Sequence, residues 1–347
     1  MGKTFRLTSI IAVLALAVAA CGSDDGAEVR NLDCDPSASA SGSASGSTSG
    51  AASTSGSASA SASGSASGSA SGSASCPSGS ASGSGSATGL SQDDLGGKAD
   101  SAQLQAAVTG YTAYVNEQVD DTIAKTKTFT DAVRAGNVAA AKAAYAPSRQ
   151  GWEAIEPIAG LVEEIDGKVD ARVDDFEGVD DPTFTGWHRI EHLLWERNDA
   201  AAAVPFANQL DADLQTLKTE LGRIEITPLA MARGAAELVE EVSEGKITGE
   251  EDRYSHTDLW DFAANIAGSE KVIELLTPAL QAEDPELLKE IQDAFAEVDA
   301  GLAKYQTPDG GYQDFGALTP EDSTTLKASL AQLSEELAEV PGALGLK

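Results

Sequence analysis

Cysteine is confined to the start of this chain, at Cys21, Cys34 and Cys76. Everything after Cys76 therefore lacks a disulfide, a thiolate ligand and a thiol nucleophile. Histidine is almost as scarce, with 3 residues, and aromatic residues make up only 5%. Basic residues number 23 against 55 acids, a net charge of −32. That balance excludes nucleic acid as a partner, because phosphate binding needs the opposite sign. Alternating strand-like runs are missing, which argues against a β architecture. Beyond the first twenty residues no run of about 18 apolar residues occurs, so nothing later reads as a membrane span.

What is present begins with a leader. Lys3 and Arg6 precede the apolar run Leu7 to Ala20, which is too short for a comfortable permanent span. Small residues lead directly into Cys21. The pattern reads as a lipoprotein signal over 1–20, with Cys21 as the lipidated first residue of an exported, membrane-anchored chain. Residues 21–97 form a linker. From Pro36 to Gln92 it is almost wholly Ser, Ala and Gly, with no charge and with Leu90 as its one large apolar residue. Such a segment cannot bury enough surface to offset its ordering entropy. It is expected to be a disordered tether with a reach of roughly 40 Å. Cys34 and Cys76 could pair in an oxidising exterior or remain free.

Residues 98–347 carry the helical period throughout. Leu104, Val108, Tyr111, Val115, Val119 and Ile123 recur every three or four positions, and Gly136-Asn137 ends that helix. A second is expected from Val138 through the Trp152–Glu164 region, kinked or restarted by Pro147. Thr227-Pro228 reads as a cap and first turn. Further helices follow at 258–276, about 287–302 and about 326–340. The fold class is all-α, with helices long enough for a bundle.

Chemistry concentrates in three segments. In Phe184-Thr185-Gly186-Trp187-His188-Arg189-Ile190-Glu191, the imidazole and carboxylate lie three residues apart and share a helix face. Glu153 and Glu156 repeat that spacing, and Asp170 follows. The third segment, Gly249-Glu250-Glu251-Asp252, leads through Tyr254-Ser255-His256-Thr257-Asp258 into a helix. Carboxylates with one imidazole suit iron, manganese or zinc, and do not select soft copper(I). So many acids in one cleft would repel each other unless a cation neutralised them. Each residue also has a plain alternative. His188 and Glu191 could make a helix-surface hydrogen bond, Glu153 and Glu156 could be a solvated face, and Asp170 could pair with Arg172.

Taken in order, Tyr145-Ala146-Pro147, Glu153-Ala154-Ile155-Glu156-Pro157-Ile158, Val169-Asp170-Ala171-Arg172, the His188 segment and the Ile247–Asp258 turn resemble the imelysin-like domain of EfeO and EfeM iron-uptake proteins. The resemblance covers about residues 100–345. It implies a pair of packed four-helix bundles with a His-x-x-Glu cleft. It also implies extracytoplasmic iron handling beside a membrane permease and a haem-type peroxidase. The implied metal ligands are His188, Glu191, Glu153, Glu156 and Asp170, with Glu250 or Glu251 as a sixth. Arg189 is expected to orient a neighbouring carboxylate, and His256 to act at a helix start beside the site. Full-length EfeO proteins carry an N-terminal cupredoxin domain, and here the serine-rich stretch stands in its place.

Two other functions compete with a binding protein for iron (or zinc). One is a metal-dependent peptidase, since a bound metal could activate water. Against it, His-Glu-x-x-His and Gly-x-Ser-x-Gly are both absent. The other is a surface lipoprotein that binds acidic polysaccharide through its tryptophans.

Overall fold

Six of the nine described α-helices start at a short polar side chain that satisfies an otherwise orphaned backbone amide. Ser101 accepts from Leu104 N–H at 3.2 Å at the start of α1 (Ala102–Arg134), and Asn137 accepts from Ala140 N–H at 3.1 Å at the start of α2 (Val138–Glu153). Thr227, Asp284 and Thr319 cap α6 (Pro228–Glu244), α8 (Pro285–Leu302) and α9 (Pro320–Ala343), each followed by proline in the first turn. The others are α3 (Glu163–Val169), α4 (Gly186–Trp195), α5 (Ala200–Leu221) and α7 (Asp258–Glu283). These come from a computed structural model that describes residues 101–347. The leader, Cys21, the tether and the Cys34–Cys76 pairing lie outside the described residues. So do residues 98–100 of the expected domain.

Among the described residues there is no strand, and the nine α-helices sort into two groups of four. α1, α2, α4 and α5 pack together, α6 to α9 form the second group, and the short α3 lies against α5. This is the expected pair of four-helix bundles. They meet where α7 lies on α1 and α2. α1 contributes Leu104, Tyr111, Val115, Val119, Phe129 and Val133 to the core, and α9 contributes Leu326, Leu330, Leu333, Leu337 and Val340. No described helix is long and apolar enough to cross a membrane.

The second helix differs from its expected course. Pro147 sits inside α2 without ending it. The break comes later, at Ala154-Ile155, and a 3-10 segment, Glu156–Val162, carries the chain on to α3. Pro157 sets this break, because it has no amide hydrogen and the Glu153 carbonyl accepts from Asn265 Nδ2 at 3.0 Å instead. A Cβ at Gly234 of α6 would sit 1.6 Å from the Pro157 carbonyl oxygen, so only glycine lets the two backbones approach. The broken segment is thereby pressed onto the second bundle, with Glu153 and Glu156 facing inward.

Candidate metal centre

α2 supplies the first wall. Tyr145, Arg149 and Glu153 follow one another at four-residue spacing, so they stack on one face. All three are fully buried. α4 supplies His188 and Glu191, and its first residue sets their position. Gly186 has φ +76°, and a Cβ there would lie 2.2 Å from the Val169 carbonyl oxygen. Only glycine allows α4 to begin directly against the end of α3, where Asp170 stands. The turn before α7 adds Glu251 and Asp252, and α7 itself adds Asp258, Asp261 and Asn265.

The two nitrogens of His188 face different surroundings. Nδ1 lies 3.2 Å from Glu191 Oε2, 3.3 Å from the Tyr145 hydroxyl and 3.9 Å from Asp252 Oδ1. Nε2 is buried without a hydrogen-bond partner and lies 3.7 Å from Asp170 Oδ1. Glu191 is pinned from behind, because its Oε1 accepts backbone N–H bonds from Tyr254 at 2.9 Å and Ser255 at 2.6 Å. The Tyr145 hydroxyl donates to Asp252 Oδ1 at 2.8 Å. Two groups of three could hold an ion, Asp170–His188–Glu251 and His188–Glu191–Asp252. Within each, the ligand atoms lie within 4.8 Å of one another.

The expected repulsion among the acids is met by cations of the chain itself. Arg149 is fully buried and pairs with Glu153, Asp170, Glu251, Asp252 and Asp261. Lys246 donates to both oxygens of Glu156 at 2.9 and 2.7 Å. It also lies 3.6 Å from Glu153 and 3.7 Å from Glu251. Arg172 Nη1 donates to Glu251 Oε2 at 2.8 Å. Asn265 Nδ2 closes the wall, donating to Glu153 Oε2 at 3.0 Å and Glu156 Oε2 at 2.6 Å.

These contacts divide the carboxyl groups by charge state. Burial alone would raise Glu251, but Lys246, Arg172 and Arg149 outweigh it and hold the pKa down at about 2. Asp170 is likewise lowered, its burial outweighed by Arg149 and His188. Glu153 is raised by burial and by Glu156, and Glu156 is raised by burial to about 7. Asp258 goes up to about 8 by burial and the Asp252 charge, and Asp261 rises for the same reasons. For His188, burial and Arg149 push the imidazole pKa down. The Glu191 hydrogen bond and the charges of Asp170 and Glu191 more than offset them, leaving it above the ordinary value. The two carboxyl groups whose pKa is lowered, Asp170 and Glu251, are the two grouped with His188 in the first of these triads, and Asp170 lies on the Nε2 side of the ring. One imidazole nitrogen with carboxylate oxygens is a donor set for a hard or borderline cation such as iron or zinc.

Of the residues expected at the site, His188, Glu191, Glu153, Glu156, Asp170 and Glu251 are buried and brought together. Three stand elsewhere. Glu250 is exposed, outside the cluster. Arg189 orients no carboxylate. Its guanidinium lies over the Phe206 ring at 4.9 Å and the Phe184 ring at 5.6 Å, and its Nε and Nη1 are buried without a hydrogen-bond partner. His256 has an exposed side chain, and its backbone does the structural task. At φ 60° its N–H donates to the Asp252 carbonyl at 2.7 Å, and its own carbonyl accepts from Phe315 at 2.8 Å. Arg149, Lys246 and Asp261 are not singled out from sequence, and Asp252 stands there only as part of the Gly249–Asp252 turn. The Arg149–Glu153 spacing of four was the one local signal for the first of them.

Residues 107–340 match the imelysin family model. The chain is also similar to the iron uptake system component EfeO of Escherichia coli K12 and of Shigella flexneri. To each it is 46% identical over 255 residues, covering 72% of this chain and 68% of the relative. The all-helical double bundle and its buried His188 cluster thus accompany a match over most of the chain, which belongs to the imelysin family.

Proposed function

We propose that this protein is an iron-binding component of an extracytoplasmic uptake system, in which His188 Nε2, Asp170 and Glu251 hold the ion as cargo. One observation carries the reading. A buried imidazole nitrogen without a partner lies 3.7 Å from Asp170, which is grouped with Glu251 and His188 within 4.8 Å, and neighbouring cations lower the pKa of both acids. Glu191, fixed by two backbone amides, orients the ring through Nδ1, the usual support for a metal-binding histidine. Lipidation at Cys21 anchors the chain to the membrane, and the serine-rich stretch lets the domain reach a permease that takes the iron. A haem-type peroxidase of the same system is the other partner. The relatives named for iron uptake support this assignment.

The peptidase name that the imelysin model also carries favours a second reading, metal-assisted hydrolysis. Both readings are tested by calorimetric titration with iron(II) under anaerobic conditions and with zinc. Binding to the wild type should weaken by ~100-fold or more in His188→Ala, as expected for loss of a direct ligand. Equal binding by the variant would remove the iron reading, and metal-dependent peptide cleavage would put the hydrolytic one in its place.

A further inference from the structure

The Arg149 guanidinium lies at the centre of the carboxylates, not at their edge. Nε donates to Asp261 Oδ1 at 3.3 Å and lies 3.6 Å from Asp252 Oδ1. Nη1 donates to Asp170 Oδ1, and Nη2 donates to Glu153 Oε1 and to Glu251 Oε1, the last at 3.3 Å. The guanidinium sits 5.7 Å from the Trp187 ring and 6.0 Å from the Tyr145 ring, with no exposed surface. Three of its five acids belong to the groups that include His188: Asp170 and Glu251 to one, and Asp252 to the other. Asp170 Oδ1 is both the oxygen that Arg149 holds and the one 3.7 Å from His188 Nε2. The other oxygen, Oδ2, accepts from Trp152 Nε1 at 3.0 Å. Asp170 therefore has no oxygen without a donor.

We propose that Arg149 is a tethered competitor for the cargo ion, a positioning residue that holds the ligand acids when the ion is away and yields them when it arrives. The inference rests on the metal-binding reading of His188, Asp170 and Glu251. An ion entering that group meets a fixed positive charge at close range in a poorly screened interior. Either the guanidinium gives up Asp170 or it stays and repels the ion, and both lower affinity. When the ion leaves, the acids would repel one another. The returning guanidinium removes that cost and eases release. An arginine keeps its charge at any physiological pH, so the competition is permanent. Lys246 differs in degree, because it donates to Glu156, which belongs to neither ligand group, and approaches the ligand acid Glu251 only to 3.7 Å.

The test uses the full chain with zinc as a redox-inert probe. Arg149→Met should bind zinc ~10-fold tighter or more, the size of one charge-assisted hydrogen bond no longer given up, and should release it to a chelator correspondingly slower. Lys246→Met, which removes the same charge at the other edge, should tighten binding less. In the unmodified protein the Arg149 Nε–H proton, followed by NMR, should shift and exchange faster on zinc saturation, so the prediction survives if Arg149→Met does not fold. An unchanged Nε–H signal, weaker or equal binding by Arg149→Met, or equal tightening by Lys246→Met would each overturn the competitor role. If neither wild type nor Arg149→Met binds zinc or iron, the metal reading falls with it. Tight wild-type binding with no gain in the variant removes the competitor role alone.

Discussion

Glu153 with Glu156 and His188 with Glu191 share a spacing of three residues and near-complete burial, yet they meet different surroundings. Around the glutamate pair, Arg149, Lys246 and Asn265 occupy all four carboxylate oxygens. Around the histidine pair, Glu191 is held by amides and one imidazole nitrogen is left without a partner. Spacing decides which groups share a face. What arrives from distant parts of the chain decides whether a face is already satisfied or open to an ion.

The sharpest way to break this contrast is to neutralise one acid on each side. Asp170→Asn should weaken iron or zinc binding by ~100-fold, and Glu153→Gln by less than ~10-fold, measured by calorimetry. Equal losses would mean that the glutamate pair is as much a ligand pair as the histidine side. Next in size is the packing that holds the glutamate wall. Gly234→Ala forces a methyl group into the Pro157 carbonyl and should cost ~1–3 kcal/mol or more, read as a lower urea midpoint.

A smaller effect is expected from pH on the metal-free protein. Burial raises Glu156 to about 7 and Asp166 to about 8. Groups raised in the folded state contribute stability that is full below their ordinary values near 4 and lost as pH rises through 7 to 8. Glu251, lowered to about 2, has the opposite sign, and its stabilisation is lost only as pH falls toward 2. Thermal melting temperature should therefore decline from pH 5 to 8.5, and Asp166→Asn should flatten the upper part of that decline. A rising curve would show that the buried acids are ionised in the fold. Smallest of all, Glu250→Gln should leave metal affinity unchanged within error, whereas Glu251→Gln should lower it. Equal losses from the two would place the exposed turn inside the site.

The fold was largely legible because helix-period stripes such as Leu326, Leu330, Leu333 and Leu337 report burial directly. The Gly136-Asn137 break and the Thr227-Pro228 cap mark two of the boundaries. The end of α2 has a local signal in Pro157, but the contact that seats the broken segment, Gly234 against the Pro157 carbonyl, joins residues 77 positions apart. Most of the acids at the site could be found from sequence, since acids at helical spacing stand out. Their counter-charges could not. Arg149 and Lys246 look like ordinary helix and turn residues, and they become informative only once Asp261 and Glu156 are folded against them. His256 misled in the same way, because its value lies in its backbone geometry and not in its ring.

The two amides that clasp Glu191 have a practical consequence. Tyr254 and Ser255 sit in a turn, where backbone protons ordinarily swap with solvent deuterium quickly, yet here both are tied to one buried acid. Their deuteration rates are a built-in gauge of order in the cleft. The gauge can be read by mass spectrometry without attaching a probe to any side chain of the site.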